Sequence, residues 1–174
     1  MNTVIENLLT RRSIRKYKSD MIPDADLETI LNAGLYAPST KSRQDSHILV
    51  VKGLEKIKEL DAIMKKATAE GEPRHQSYKE RVLSPNYSIN MGSAPVFMIV
   101  SADTKEDSNT DADGAVVLQN IFLAAHSLGI GSVWINQLNP ISDMPVLRDY
   151  LTMHGVPQSY RIVGCAALGY NAGE

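Results

Sequence analysis

The chain has 174 residues, 43 % of them hydrophobic and 22 % charged, with a formal net charge of −2. That is ample apolar material for one core and short for two, so 1–174 reads as one domain that needs neither disulfides nor a metal for stability. So small a net charge excludes a global field drawing the chain onto nucleic acid or an anionic membrane. The single cysteine, Cys165, excludes an internal disulfide and fits a reducing compartment. No apolar stretch approaches the roughly 20 residues of a membrane helix, and Met1–Leu9 has no basic lead-in of a secretory signal. The expected setting is cytoplasmic.

Along the chain, Thr3 and Glu6 have capping-box spacing, and Val4, Ile5, Leu8 and Leu9 share a helical face, giving a short amphipathic helix that ends near Thr10. A basic run, Arg11 to Lys18, follows. Pro23-Asp24 opens a second helix with Leu27, Ile30, Leu31 and Leu35 at core-facing spacing. Pro38 disfavours helical geometry at Ala37, so this helix stops near Tyr36. A polar loop, Ser39–Ser46, leads into a buried strand at Ile48–Val51. Leu54, Ile57, Leu60, Met64 and Ala67 form a third amphipathic helix that Gly71 terminates.

Residues 72–90 are polar and weakly periodic, and read as a mobile surface excursion. Pro95–Ala102 is a second strand, with proline where no ladder N–H is required. Asp103–Asp111 is an acidic loop, and Asp103, Asp107, Asp111 and Asp113 lack calcium-loop spacing and read as solvated. Ala112–Leu128 is apolar on more than one face, which marks a central helix with surface left over for a second subunit. Gly129 caps it, Ser132–Ile135 is a further strand, a late helix surrounds Leu147–Leu151, and Ile162–Leu168 closes the series. Helices and strands mix without a βαβ rhythm, so the expected class is α+β.

Arg11, Arg12, Arg15, Lys16 and Lys18 crowd into eight residues. Charge alone leaves two readings open. The run is a helix C-terminus, whose dipole favours cations, or an anion grip, in which an extended Arg11, Ser13 and Arg15 share one face and donate bidentate bonds to a phosphate. Nucleic-acid binding is a third reading, but no basic stripe or reader motif accompanies it. Gly129-Ile130-Gly131 is not a dinucleotide fingerprint, because it follows a helix and enters a strand and Trp134 stands at the third glycine's place. Gly131 could still admit close backbone approach to a ligand. His47, His75, His126 and His154 lack metal spacing. Cys165 sits in an apolar strand, more as core than as nucleophile.

Taken together, RRSIRKY at the start, Ala37-Pro38-Ser39-Thr40-Lys41-Ser42-Arg43-Gln44, the segment Leu123–Asn136 and the closing Ala167-Leu168-Gly169-Tyr170 resemble the nitroreductase family of FMN proteins in order and spacing. The resemblance implies a mainly antiparallel central sheet flanked by helices, an intertwined homodimer, and FMN held tightly and non-covalently at the interface. It implies that Arg11, Arg12, Ser13 and Arg15 hold the flavin's phosphate, ribityl chain and pyrimidine edge. Pro38, Ser39, Thr40, Ser42 and Gln44 would belong to a loop supplied by the neighbouring subunit. Gly131, Trp134, Ile135 and Asn136 would pass beside the isoalloxazine ring, with the Asn136 backbone N–H approaching N5. The implied chemistry is ping-pong electron transfer from NAD(P)H to nitroaromatics, quinones or similar acceptors. It belongs to the cofactor and needs no acid–base pair. A non-catalytic or regulatory flavin-binding dimer is the alternative.

Three departures from the family pattern stand out. Ser42 replaces an asparagine, Asp45-Ser46 replaces Pro-Trp, and no basic stretch follows Tyr170, so that either the sequence is cut short there or the phosphate grip rests more heavily on Arg11, Arg12 and Arg15. Lys41 is unusual for its position and is assigned to the substrate face. The 72–90 excursion is where a lid would sit.

Overall fold

The computed structural model describes residues 2–71, 76–106 and 108–173. Its elements in chain order are α1 (Thr3–Thr10), α2 (Asp24–Leu35), β1 (Ser46–Lys52), α3 (Leu54–Glu70), α4 (Gln76–Leu83), β2 (Val96–Asp103), α5 (Thr110–Ser127), β3 (Gly131–Ile135), α6 (Pro145–Met153) and β4 (Tyr160–Gly169). The strands form one antiparallel sheet in the order β1-β2-β4-β3, an α+β architecture as expected.

Period-two patterning sorts the sheet's residues between two cores. Phe97 and Ile99 of β2, with Cys165 and Ala167 of β4, face α3 and α6. Val96, Met98 and Val100, with Ala166 and Leu168, face α2 and α5. Every residue of β2 is buried, as a central strand covered on both faces requires. A β-bulge between Val100 and Ser101 sets Val163 against α5. There, a Cβ on Gly114 would lie 2.4 Å from Val163 Cγ2, so only glycine lets α5 come this close to the sheet.

α2 begins after Pro23 and ends at Tyr36 as expected, but Leu35 is exposed. α1 is capped by Asn2, whose side chain accepts from the Ile5 N–H at 2.9 Å, instead of by Thr3. None of its residues is buried, and Val4 and Leu9 are 67 % and 59 % exposed. An apolar face left open on that scale is surface for something else to cover.

The excursion after Gly71 is more ordered than its polarity implies. Residues 72–75 lie outside the described residues, but α4 follows, with Val82 fully buried. Lys65 donates to the Tyr87 carbonyl at 2.8 Å, and the Ile89 N–H donates to Asp61 at 2.7 Å. Long-range polar bonds and two apolar anchors, Val82 and Ile89, replace the periodicity that sequence reading looks for. The acidic loop also departs from expectation. Asp103 and Asp113 are buried, Asp111 pairs with Arg161 at 2.7 Å, and Asp107 lies outside the described residues. Lys105 bonds Asp103 at 2.7 Å and holds its carboxyl below the usual carboxylate range.

Candidate functional site

The basic segment leaves α1 at Arg11 and runs extended along the free edge of the sheet. Ser13 bridges Ser132 in parallel, and the Ile14 N–H donates to the Ser132 carbonyl at 3.0 Å. Farther on, Tyr17 bridges Asn171, Lys18 N–H donates to Tyr170 O, and Ala172 N–H donates to Lys16 O. The buried Tyr17 hydroxyl donates to the Ile14 carbonyl and lies 3.2 Å from that of Ala167, and burial raises its pKa. The segment is therefore fastened at both ends.

Gly131 makes the fastening possible. A Cβ there would sit 2.8 Å from Ile14 Cγ1 and 2.9 Å from its Cβ. The space is taken first by the chain's own arm, a role that the expectation of ligand approach did not include. At the other end of the turn, Gly129 has φ +73. The Ile130 N–H reaches back to Ala125 O at 2.9 Å, which is a left-handed helix cap as expected.

Arm, turn and the last turn of α5 enclose a cavity of about 310 Å³ lined by Thr10, Arg11, Arg12, Ile14, His126, Gly129, Ile130, Gly131, Ser132 and Asn171. Arg11 and Arg12 line it, whereas Ser13 and Arg15 do not. Arg12 Nη1 donates to the carbonyls of Leu9 and Arg11, both at 2.8 Å, so Arg12 caps α1 and faces the cavity at once. Arg12 thus meets the helix-C-terminus reading of the basic run while lining the cavity. Among the described residues no carboxylate pairs with Arg11, Arg12 or Arg15. The Ser132 hydroxyl is buried beside them with no hydrogen-bond partner. Two uncompensated guanidiniums and an orphaned buried hydroxyl fit an anionic, acceptor-rich group such as a phosphate. His126 was not singled out from sequence; its Nε2 lies 2.9 Å from Thr10 Oγ1, and only the α1–α5 packing brings it here.

Beyond the cavity, β3 divides its residues. Trp134 is 40 % exposed, stacks over Gly164, where a Cβ would lie 2.7 Å from the indole, and meets Phe122 at 6.1 Å. Ile135 points the other way, into the core, so it offers a ligand only its backbone. The Asn136 N–H is exposed and donates to Gln137 Oε1 at 3.0 Å. Tyr78 of α4 donates to the Gln137 carbonyl at 3.0 Å, which sets α4 against this edge.

The loop after α2 lies elsewhere. Pro38, Ser39 and Gln44 line a separate hollow of about 190 Å³ with Leu35, Ala37, Ser46 and Val117, and Thr40 is bonded to Asp113 in the first turn of α5. Asp113 and His126 mark the two ends of α5, roughly 20 Å apart at 1.5 Å per residue. One chain does not bring this loop to the arginine cavity. Lys41 and Ser42 are exposed within it. No described group of three or more His, Cys, Asp or Glu residues is placed to hold a metal ion, and no described helix is long and apolar enough to cross a membrane.

The fold is a helix-flanked antiparallel sheet whose free edge carries a cavity lined by Arg11 and Arg12. The family model of the nitroreductase family matches residues 8–170, and the chain belongs to that family. It is similar to a nitroreductase with bound FMN from Bacteroides fragilis, at 42 % identity and TM-score 0.91 over 99 % of this chain and 90 % of that one. A Desulfitobacterium hafniense nitroreductase with bound FMN is 26 % identical, with TM-score 0.85 over 100 % and 92 %. The NADPH-flavin oxidoreductase of Vibrio harveyi is 35 % identical over 98 % of this chain and 66 % of its own length.

Proposed function

We propose that this chain is an FMN-dependent NAD(P)H oxidoreductase, residues 1–174 acting as one FMN-binding domain in a cytoplasmic homodimer. In this reading it passes electrons to nitroaromatics, quinones or similar acceptors by a ping-pong mechanism. The observation that carries the reading is the cavity lined by Arg11, Arg12 and Ser132, whose buried hydroxyl has no hydrogen-bond partner. The FMN bound in two similar structures supports it.

When bound, FMN accepts electrons from NAD(P)H and returns them to the acceptor. Arg11 and Arg12 neutralise its phosphate through bidentate bonds, and Ser132 gains the partner it lacks. Ser13 and Arg15, next along the arm, serve the ribityl chain and pyrimidine edge. Gly131, Trp134, Ile135 and Asn136 border the ring, Ile135 through its backbone alone, while the indole excludes water from one side. Pro38, Ser39, Thr40, Ser42 and Gln44 complete the neighbour's site, with Lys41 beside the substrate. The homodimer is supported by the open apolar face of α1, by a groove of about 620 Å³ between α1 and α5, and by the separation of the two half-sites.

The absorption spectrum of the purified protein, followed on anaerobic addition of NADH or NADPH, tests this. A yellow protein that bleaches is the expected result. A yellow protein that keeps its colour means a non-catalytic flavin-binding dimer. A colourless one that takes up no added FMN refutes the reading.

A further inference from the structure

The loop that would complete a neighbour's flavin site is poorly suited to hold itself in shape. Lys41, Ser42 and Gln44 have φ of 54, 53 and 51, left-handed without glycine. Its internal bonds are local: Ser42 N–H to Ser39 O at 3.0 Å, Arg43 N–H to Thr40 O at 3.2 Å, and Gln44 N–H to Ser39 Oγ at 2.8 Å. The body of the protein grips the loop at Thr40. Its N–H and its hydroxyl both donate to Asp113 Oδ1, at 2.9 and 3.0 Å.

Asp113 is built as an anchor. It is 6 % exposed, and its own N–H donates to Asn109 O at 2.9 Å. The next residue is Gly114, pressed on Val163 of β4, so α5 cannot shift there without moving the sheet. A carboxylate in a helix's first turn is favoured by the helix dipole, and two charge-assisted bonds to one residue exceed what a neutral acceptor gives.

We infer that Asp113 is a positioning residue for cofactor binding. By capturing Thr40 it selects the left-handed loop, and so sets FMN affinity in the neighbouring subunit while touching no cofactor itself. The inference rests on the proposed FMN reading and adds a residue that the motifs do not contain.

The test uses full-length protein and FMN titration by flavin fluorescence. Asp113→Ala is expected to raise the FMN Kd about tenfold to hundredfold, the loss of bonds to a charged group. Asp113→Asn, which keeps an Oδ1 acceptor but not its charge, recovers part of that loss and binds between Asp113→Ala and wild type. Arg11→Ala weakens binding in its own chain. Mixed dimers of an Asp113→Ala chain and an Arg11→Ala chain then carry one site with both defects and one with neither. Half the sites regaining wild-type Kd is the expected result, and one that a merely destabilised fold would not produce. Two weak sites in the mixed dimer would mean that the loop serves its own chain, and overturn the inference. So would Asp113→Ala binding as tightly as wild type. A wild-type chain that binds no FMN overturns the proposed reading, and the inference with it.

Discussion

Replacing Gly131 by alanine probes how the arm and the sheet edge make the cavity together. The added Cβ would lie 2.8–3.0 Å from three atoms of Ile14, against about 3.5–4.0 Å for a comfortable carbon contact. The arm must retreat by several tenths of an ångström, and the Ile14 N–H to Ser132 O bond of 3.0 Å retreats with it. Overpacking of this kind costs about 1–3 kcal/mol, and a weakened hydrogen bond up to about 1 kcal/mol. Loss of glycine's freedom in the unfolded chain offsets roughly 0.4–1 kcal/mol. The net expectation is about 2 kcal/mol, or a Tm lower by roughly 4–8 °C for a chain of this size.

Circular-dichroism melting at fixed protein concentration measures it, since oligomers melt in a concentration-dependent way. FMN affinity should fall as well, because Arg11 and Arg12 ride on the displaced arm. Ile14→Ala removes the γ-carbons that clash, so the double variant should be more stable than the sum of the two single losses. A Gly131→Ala protein that melts and binds like wild type, or strictly additive losses, would refute the close-contact argument.

Three other outcomes are expected. Leu8→Asp on the open face of α1, where Leu8 is 44 % exposed, should leave the fold of the single chain intact by circular dichroism yet shift sedimentation from dimer to monomer. Because Lys105 lowers the Asp103 pKa, their bond stabilises the fold above the ordinary carboxylate pKa near 4 and is lost as pH falls through the lower folded value. Lys105→Ala should therefore destabilise at pH 7, with the gap to wild type closing in urea titrations as pH falls below the ordinary carboxylate range. Lys41→Ala should reduce kcat/KM for anionic acceptors more than for neutral ones; equal changes for both would remove Lys41 from the substrate face.

Much of the fold was legible because burial enforces periodicity. α2, α3 and the strands from β1 to β4 stand where the apolar spacing put them, and Pro23, Gly71 and Gly129 mark their ends. α4 was not legible, since its stability comes from Val82 and from bonds such as Tyr78 to Gln137, which sequence places 59 residues apart. The arginine pair was visible as charge, and the resemblance assigned it a partner. What charge could not convey is that Arg12 also caps α1, or that Ile135 turns its side chain away. His126 was read only as lacking metal spacing and Asp113 as solvated, because each acquires its contact from a residue distant in the chain, Thr10 or Thr40.

The strand order has a bearing on when the site can exist. Of the four described strands β4 is synthesised last, yet it lies inside the sheet, and β3 pairs with no other of them. Until β4 emerges, β3 has no ladder, and the arm that bridges it at Ser13 has no rail to lie on. The arginines, made among the first residues, must wait for Asn171 before their cavity has its wall. Cofactor uptake by a nascent chain would therefore report that translation and folding have passed β4 and Asn171.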